Sequence, residues 1–185
     1  SAQRMSRKQL AGLADSRQAD AQRFAVQAWR AQGIRDAATQ QQVASWMLEG
    51  DRGTLEEGLE YAAQLGDPAY SSFLHHLFAS GTKSMQRLVF SELMQSDRTL
   101  SASLTQELAA SVGNMDEYAL IHLALQWFEA EPQRAKQVVN EVVSLLDHRS
   151  FLIVRRACRF LEKQTLSVEQ HAQVETVKQQ YNGRL

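Results

Sequence analysis

The sequence predicts an all-α protein, an α-solenoid of stacked antiparallel helix pairs, with a closed helical bundle as the alternative arrangement. Apolar residues recur at helical spacing along most of the chain. Breakers such as Gly, Pro, Ser and Asp interrupt that pattern at regular intervals. Runs of Val, Ile and Thr are nearly absent, so nothing indicates a buried strand.

Ten helices are predicted between these breakers. Pro68 and Pro132 suit first helical turns, because a proline there loses no helical hydrogen bond. Thr54, with Glu57 three residues later, and Ser167, with Gln170, resemble capping boxes. The predicted spans are 3–32, 36–49, 54–65, 68–80, 83–95, 100–112, 116–130, 132–147, 150–163 and 167–181.

The connections between these helices are short, which favours antiparallel neighbours. Pairing successive helices places unit starts at Asp36, Pro68, Leu100 and Pro132, a constant interval of about 32 residues, and such a period is typical of arrays of helix pairs. We therefore expect residues 34–185 to form one helical-repeat domain, preceded by a long capping or stalk helix over residues 1–33.

Two segments resemble known repeat families. Residues 145–150 (Leu-Leu-Asp-His-Arg-Ser), followed by 154–157 (Val-Arg-Arg-Ala) and Leu161, resemble a HEAT repeat. Tyr70, Gly81 and Phe90, with 130–132 (Ala-Glu-Pro), resemble positions of a TPR repeat. Both resemblances imply a helical-repeat fold. The HEAT resemblance further implies that an arginine of the second helix bonds to neighbouring turns.

The charge balance separates two classes of binding protein. The formal net charge is −1, whereas a nucleic-acid-binding protein usually carries a clear positive excess. The densest basic cluster consists of Arg149, Arg155, Arg156 and Arg159. A nucleic-acid-binding helical-repeat protein that uses this cluster on phosphates is therefore the alternative function.

Candidate chemical groups are sparse. The single cysteine, Cys158, excludes an intramolecular disulfide and a cysteine-based zinc site. His75 and His76 are adjacent, so on a helix they point about 100° apart and suit one metal ion poorly. His171 and Glu175 share a helix face, loosely joined by Glu169, which suits a solvated surface pair better than a weak metal site. A phosphate-binding glycine loop, a serine elbow and a zinc-protease motif are all absent from the sequence. We predict no catalytic residue, no cofactor and no metal.

These observations favour a non-enzymatic scaffold or adaptor that binds one or more proteins on a concave helical-repeat surface. Aromatic residues and arginines are frequent binding anchors. The candidate binding residues are Tyr70, Trp127 and the four arginines of the basic cluster.

The N-terminal helix falls outside the repeat pairing. Its small and apolar residues follow a near-heptad spacing, with Arg17 in one seam position, which disfavours a self-associating coiled coil. Arg4, Arg7 and Lys8 resemble the basic residues that flank a membrane helix on its cytoplasmic side. We expect a cytoplasmic protein whose first helix either caps the repeats or links them to a membrane anchor upstream of Ser1. The seam residues are Leu10, Ala14, Ala21, Phe24 and Ala28.

Overall fold

The structure, a computed structural model, describes residues 19–181. Within that range the chain is all-helical and contains no strand, as predicted. Ten α-helices follow one another there: α1 (Ala19–Gln32), α2 (Ala37–Glu49), α3 (Arg52–Ala62), α4 (Asp67–Ala79), α5 (Lys83–Gln95), α6 (Ala102–Ser111), α7 (Tyr118–Glu129), α8 (Pro132–Ser144), α9 (Phe151–Leu161) and α10 (Val168–Gln180). Short 3₁₀ turns extend α6 (Val112–Asn114) and α8 (Leu145–Asp147).

Most helix starts lie close to the predicted ones, because caps act locally. Ser167 and Gln170 form the predicted capping box before α10. Pro68 and Pro132 lie in the first turns of α4 and α8. The cap predicted at Thr54 is wrong. Asp51 caps α3 instead, because its carboxylate accepts hydrogen bonds from both the backbone N–H and the hydroxyl of Thr54.

The paired helices do not start at a constant interval. The helices α2, α4, α6 and α8 start at Ala37, Asp67, Ala102 and Pro132, so the middle interval is longer than the two others, which are equal. The longer interval includes the connection 96–101, at the end of which Ser101 accepts a hydrogen bond from the Leu104 N–H and delays the start of α6.

The chain divides into two compact units, Ser1–Met85 and Gln86–Leu185. In the described part of the first unit, α1 packs on α3, and α2 packs on both α3 and α4. Trp29 and Trp46 stack with ring centroids 5.2 Å apart. Tyr61 donates a hydrogen bond from its hydroxyl to the Ile34 carbonyl at 3.0 Å. Arg30 of α1 forms ion pairs with Glu57 and Glu60 of α3. The predicted boundary after Gly33 thus lies inside this unit.

In the described part of the second unit, α8 packs on α6 and α7, and α9 packs on α7 and α8. The buried residues of these helices are mainly Leu, Val, Ile and Phe, and they follow the apolar stripes seen in the sequence. The helices α8 and α9 each contact the two α-helices that precede them, so this part of the unit has a core built from helices close in sequence. Among the described helices, none is both long enough and apolar enough to cross a membrane.

Most of the N-terminal helix predicted over residues 3–32 lies outside the described residues. The same holds for Arg4, Arg7, Lys8, Leu10, Ala14 and Arg17. The described part, α1, packs on α3 and buries Ala25, Val26 and Trp29, while Phe24 is 51 % exposed. Residues 19–32 thus take part in the helix packing of the first unit.

Candidate functional site

A cleft of about 650 Å³ opens in the second unit between the end of α5 and the start of α8. Its walls are mainly polar, and the apolar residues that line it include Met94, which is 45 % exposed. Amide and hydroxyl side chains predominate among the polar groups: Ser96, Thr99, Thr105, Gln106, Gln133 and Gln137. The charged groups are two of each sign: Asp97, Arg98, Glu131 and Arg134.

Two connections of different length shape this cleft. After α5 the chain runs through residues 96–101 without helical structure, so α6 starts at a distance from the end of α5. Between α7 and α8 only Ala130 and Glu131 intervene, and Glu131 is extended. Because this turn is so short, α8 folds directly back on α7, and the first turn of α8 lies beside the last turn of α7. That arrangement brings Arg134 to Trp127.

The floor of the cleft is the indole of Trp127 with the guanidinium of Arg134 stacked on it. The Arg134 Cζ lies 4.3 Å from the ring centroid, which is within the range of a cation–π interaction. Trp127 is held from below by Phe90 and Phe128, with ring centroids 6.1 Å and 4.8 Å away. With only 3 % of Trp127 exposed, its ring is a fixed platform for the arginine.

Arg134 is a largely buried cation with few hydrogen-bond partners. Its side chain is 18 % exposed, and burial lowers the pKa of its guanidinium. A carboxylate oxygen of Glu131 lies 2.9 Å from Nη2, but the Glu131 side chain is 65 % exposed. The buried Nε of Arg134 has no hydrogen-bond partner among the described residues. The cleft thus contains a fixed positive charge that its own chain satisfies only in part.

The structure separates the arginines of the predicted basic cluster. Arg149 and Arg159 are exposed and Arg155 is half-buried. Arg156 is buried because it lies on the apolar face of α9, between Ile153 and Phe160. The cluster as predicted therefore does not form one solvent-facing surface of four arginines.

Arg156 is the centre of a buried polar group in the second unit. Its Nη1 and Nη2 donate to the two carboxylate oxygens of Glu129 at 3.0 and 3.1 Å, and its Nε donates to the His122 Nδ1 at 3.3 Å. Lys163 lies 3.8 Å from the same carboxylate. These bonds join α9 to α7.

The two aromatic candidates differ in position. Tyr70 is 1 % exposed and belongs to the core of the first unit. Trp127 lines the cleft, although Arg134 covers its ring. Of these two residues, only Trp127 takes part in a site that a partner could reach.

The residues with metal-binding or nucleophilic chemistry are dispersed. His75 and His76 are both exposed on α4. Residues 19–181 contain no group of three His, Cys, Asp or Glu side chains that could hold a metal ion. Cys158 is 2 % exposed, and burial, with a smaller effect of the nearby Glu162, raises the pKa of its thiol.

A smaller cleft of about 260 Å³ lies between the end of α9 and α10, and His171 and Glu175 both line it. The carboxylates in this cleft are paired with Lys178, which forms one ion pair with Glu162 and a second one with Glu175 at 3.4 Å. A metal ion would have to displace this lysine from Glu175, which belongs to an ion-pair cluster with Lys178 and Glu162.

Sequence reasoning missed Arg134 and Met94. Met94 lies one residue before the end of α5, where an exposed apolar residue is ordinary in a sequence. Arg134 follows Pro132 by two residues, and only the short turn 130–131 hints that the first turn of α8 meets the end of α7. The stack on Trp127 depends on the angle of that turn, which no local pattern encodes.

No protein-family model, curated protein or solved structure matches this chain.

Proposed function

We propose that this protein is a non-enzymatic interaction scaffold whose cleft between α5 and α8 binds an extended segment of a partner protein. The observation that carries the proposal is the cleft itself: an open, mainly polar groove of about 650 Å³ with a fixed aromatic–arginine floor. Its volume lies within the usual range for ligand sites.

The amide and hydroxyl side chains suit a peptide main chain. Glutamine amides both donate and accept hydrogen bonds, and an extended peptide offers alternating N–H and C=O groups. Gln106, Gln133 and Gln137 are exposed within the cleft walls. Met94 provides an adaptable apolar surface on which a partner's side chain would pack.

The helical-repeat arrangement belongs to this proposal. Packing between helices that are close in sequence, described above for each unit, supports stacked helix pairs over a closed bundle. In such an array grooves form between adjacent pairs, and α5, α6, α7 and α8 are the helices that line the cleft. A cytoplasmic location, free or tethered to a membrane, is likewise part of the proposal, and fractionation of cells expressing the complete native protein would test it.

The test is selection of binding peptides and their mapping to the cleft. A phage-displayed library of short random peptides is panned against the whole chain, and selected peptides are labelled for fluorescence anisotropy. Gln137→Trp fills the cleft, whereas Gln173→Trp changes an equally exposed helical glutamine on α10. We expect Gln137→Trp to weaken binding at least about tenfold, as loss of a main anchor does, and Gln173→Trp to leave it unchanged.

Two results would contradict the proposal. If no peptide is selected, or if both tryptophan variants bind the peptides equally, the cleft is not the binding site. A mixed oligonucleotide titrated at low salt forms the comparison arm. If binding there falls steeply with salt and is abolished by charge reversal at Arg155 and Arg159, the nucleic-acid function replaces the scaffold.

A further inference from the structure

We infer that the partner segment carries an aspartate or glutamate whose carboxylate pairs with Arg134. This carboxylate displaces Glu131, which forms an ion pair with Arg134 in the unbound protein. This inference rests on the proposed peptide-binding function of the cleft. It specifies the chemistry of the bound segment and assigns Glu131 an autoinhibitory role.

Arg134 is already arranged for a carboxylate. Its guanidinium stacks on Trp127 at 4.3 Å and its side chain is 18 % exposed, so it loses little conformational freedom when an anion binds. A planar guanidinium can donate two parallel hydrogen bonds to a carboxylate, and burial strengthens such charge-assisted bonds. The buried Nε of this guanidinium has no hydrogen-bond partner among the described residues, so the cation is incompletely satisfied by its own chain.

Glu131 is a replaceable partner. It lies three residues before Arg134, at the N-cap of α8, and its side chain is 65 % exposed. Water competes for the exposed Glu131 carboxylate, so this ion pair contributes less to stability than a fully buried pair would. Releasing Glu131 into solvent therefore costs little, and a partner's carboxylate gains the position next to the stacked guanidinium.

The charges around Arg134 favour a carboxylate over a phosphate. Asp97 and Glu131 line the same cleft as Arg98 and Arg134, so the cleft carries no net charge. A phosphate with nearly two negative charges would meet two carboxylates and only two cations. A carboxylate carries one negative charge and replaces Glu131 one for one, which preserves the charge balance of the site.

The experiment uses the selected peptides and their Glu→Gln or Asp→Asn counterparts, titrated by anisotropy against the whole chain and two variants. Glu131→Gln removes the internal competitor, so we expect acidic peptides to bind about three- to tenfold more tightly and the neutral counterparts to bind as before. Arg134→Gln should weaken acidic peptides about tenfold or more and abolish the difference between the acidic and neutral forms.

Two surface variants control for long-range electrostatics. Glu169→Gln and Arg159→Gln change an exposed charge of the same sign on α10 and α9, outside the cleft, and should alter neither affinity. Circular dichroism of each variant reports whether the helices are intact.

The possible results separate this inference from the function on which it rests. The inference is supported if the selected peptides share an acidic residue at a fixed position and bind more tightly to the Glu131→Gln variant. Peptides that bind in the cleft with no acidic preference, or with no response to Glu131→Gln, overturn it and leave the proposed function standing. If the library yields no cleft-binding peptide, the proposed function fails, and this inference fails with it.

Discussion

The pair of Arg156 and Glu129 allows a quantitative test of what holds α9 to α7. The Arg156 side chain is 10 % exposed and the Glu129 side chain is 20 % exposed, and two hydrogen bonds of 3.0 and 3.1 Å join them. Removing one member of a fully buried pair costs about 3–5 kcal/mol, because the other charge stays buried without a partner. The residual exposure of Glu129 places this pair near the lower end of that range.

The two single substitutions should differ. Glu129→Gln leaves the more deeply buried charge, that of Arg156, beside a neutral amide, so we expect a loss of about 3 kcal/mol in the free energy of unfolding. Arg156→Met leaves Glu129, which is partly exposed and still has Lys163 at 3.8 Å, so we expect a smaller loss of about 2 kcal/mol. The double variant removes both charges and should be far less destabilised than the sum of the two.

The assay is urea unfolding followed by far-ultraviolet circular dichroism, which gives the free energy of unfolding of each variant. Glu56→Gln is the matched control, because Glu56 pairs with Arg52 at 2.9 Å while their side chains are 62 % and 92 % exposed. That change should cost less than about 0.5 kcal/mol. If Glu129→Gln costs no more than Glu56→Gln, or if the double variant equals the sum of the single ones, the buried pair does not stabilise the α7–α9 contact.

Three further predictions concern single positions. Gly50→Ala should destabilise the protein by about 1–3 kcal/mol, because a Cβ there would lie 2.5 Å from the Trp46 carbonyl oxygen, whereas Gly66→Ala, with nothing within 4 Å, should change the urea midpoint little. Cys158 should react with a thiol reagent only after denaturant is added, since burial raises its pKa; rapid reaction of the native protein would contradict this. Burial raises the pKa of Tyr61 from 10.0 to about 12, so the stability contributed by its neutral form is complete below pH 10 and is lost as the pH rises towards 12. Tyr61→Phe should remove that loss and one late tyrosinate transition from the absorbance titration; an unchanged titration would refute the assignment.

The helices could be predicted from the sequence because their signals are local. Proline at a first turn, a serine three residues before a glutamine, and a stripe of apolar residues each act within one or two turns. Where two local signals compete, the prediction is less secure: the cap assigned to Thr54 lies at Asp51, since a carboxylate is the stronger acceptor. The predicted constant interval between helix pairs failed because both the helices and their connections vary in length along the chain.

The candidate site could be predicted only in part because it depends on contacts between distant residues. The sequence predicted Trp127 as a candidate binding residue, but the position of Arg134 over its ring follows from the geometry of the turn between α7 and α8. Arg156 was grouped with exposed neighbours, although it lies in the same stripe as Ile153 and Phe160. An arginine within an apolar stripe is a sequence signal for a buried carboxylate partner. That signal does not identify Glu129, which lies on another helix.

The stacked indoles of the first unit give the protein an intrinsic spectroscopic marker. Trp29 and Trp46 are 5.2 Å apart and nearly parallel, with an interplanar angle of 8°, so their electronic transitions should couple and produce a paired circular-dichroism signal. Trp127 lies in the second unit, next to Arg134, and lacks such a partner indole. Unfolding of the first unit would abolish the coupled signal, whereas the emission of Trp127 would follow the second unit. One unlabelled sample can therefore report whether the two units lose structure together or in sequence.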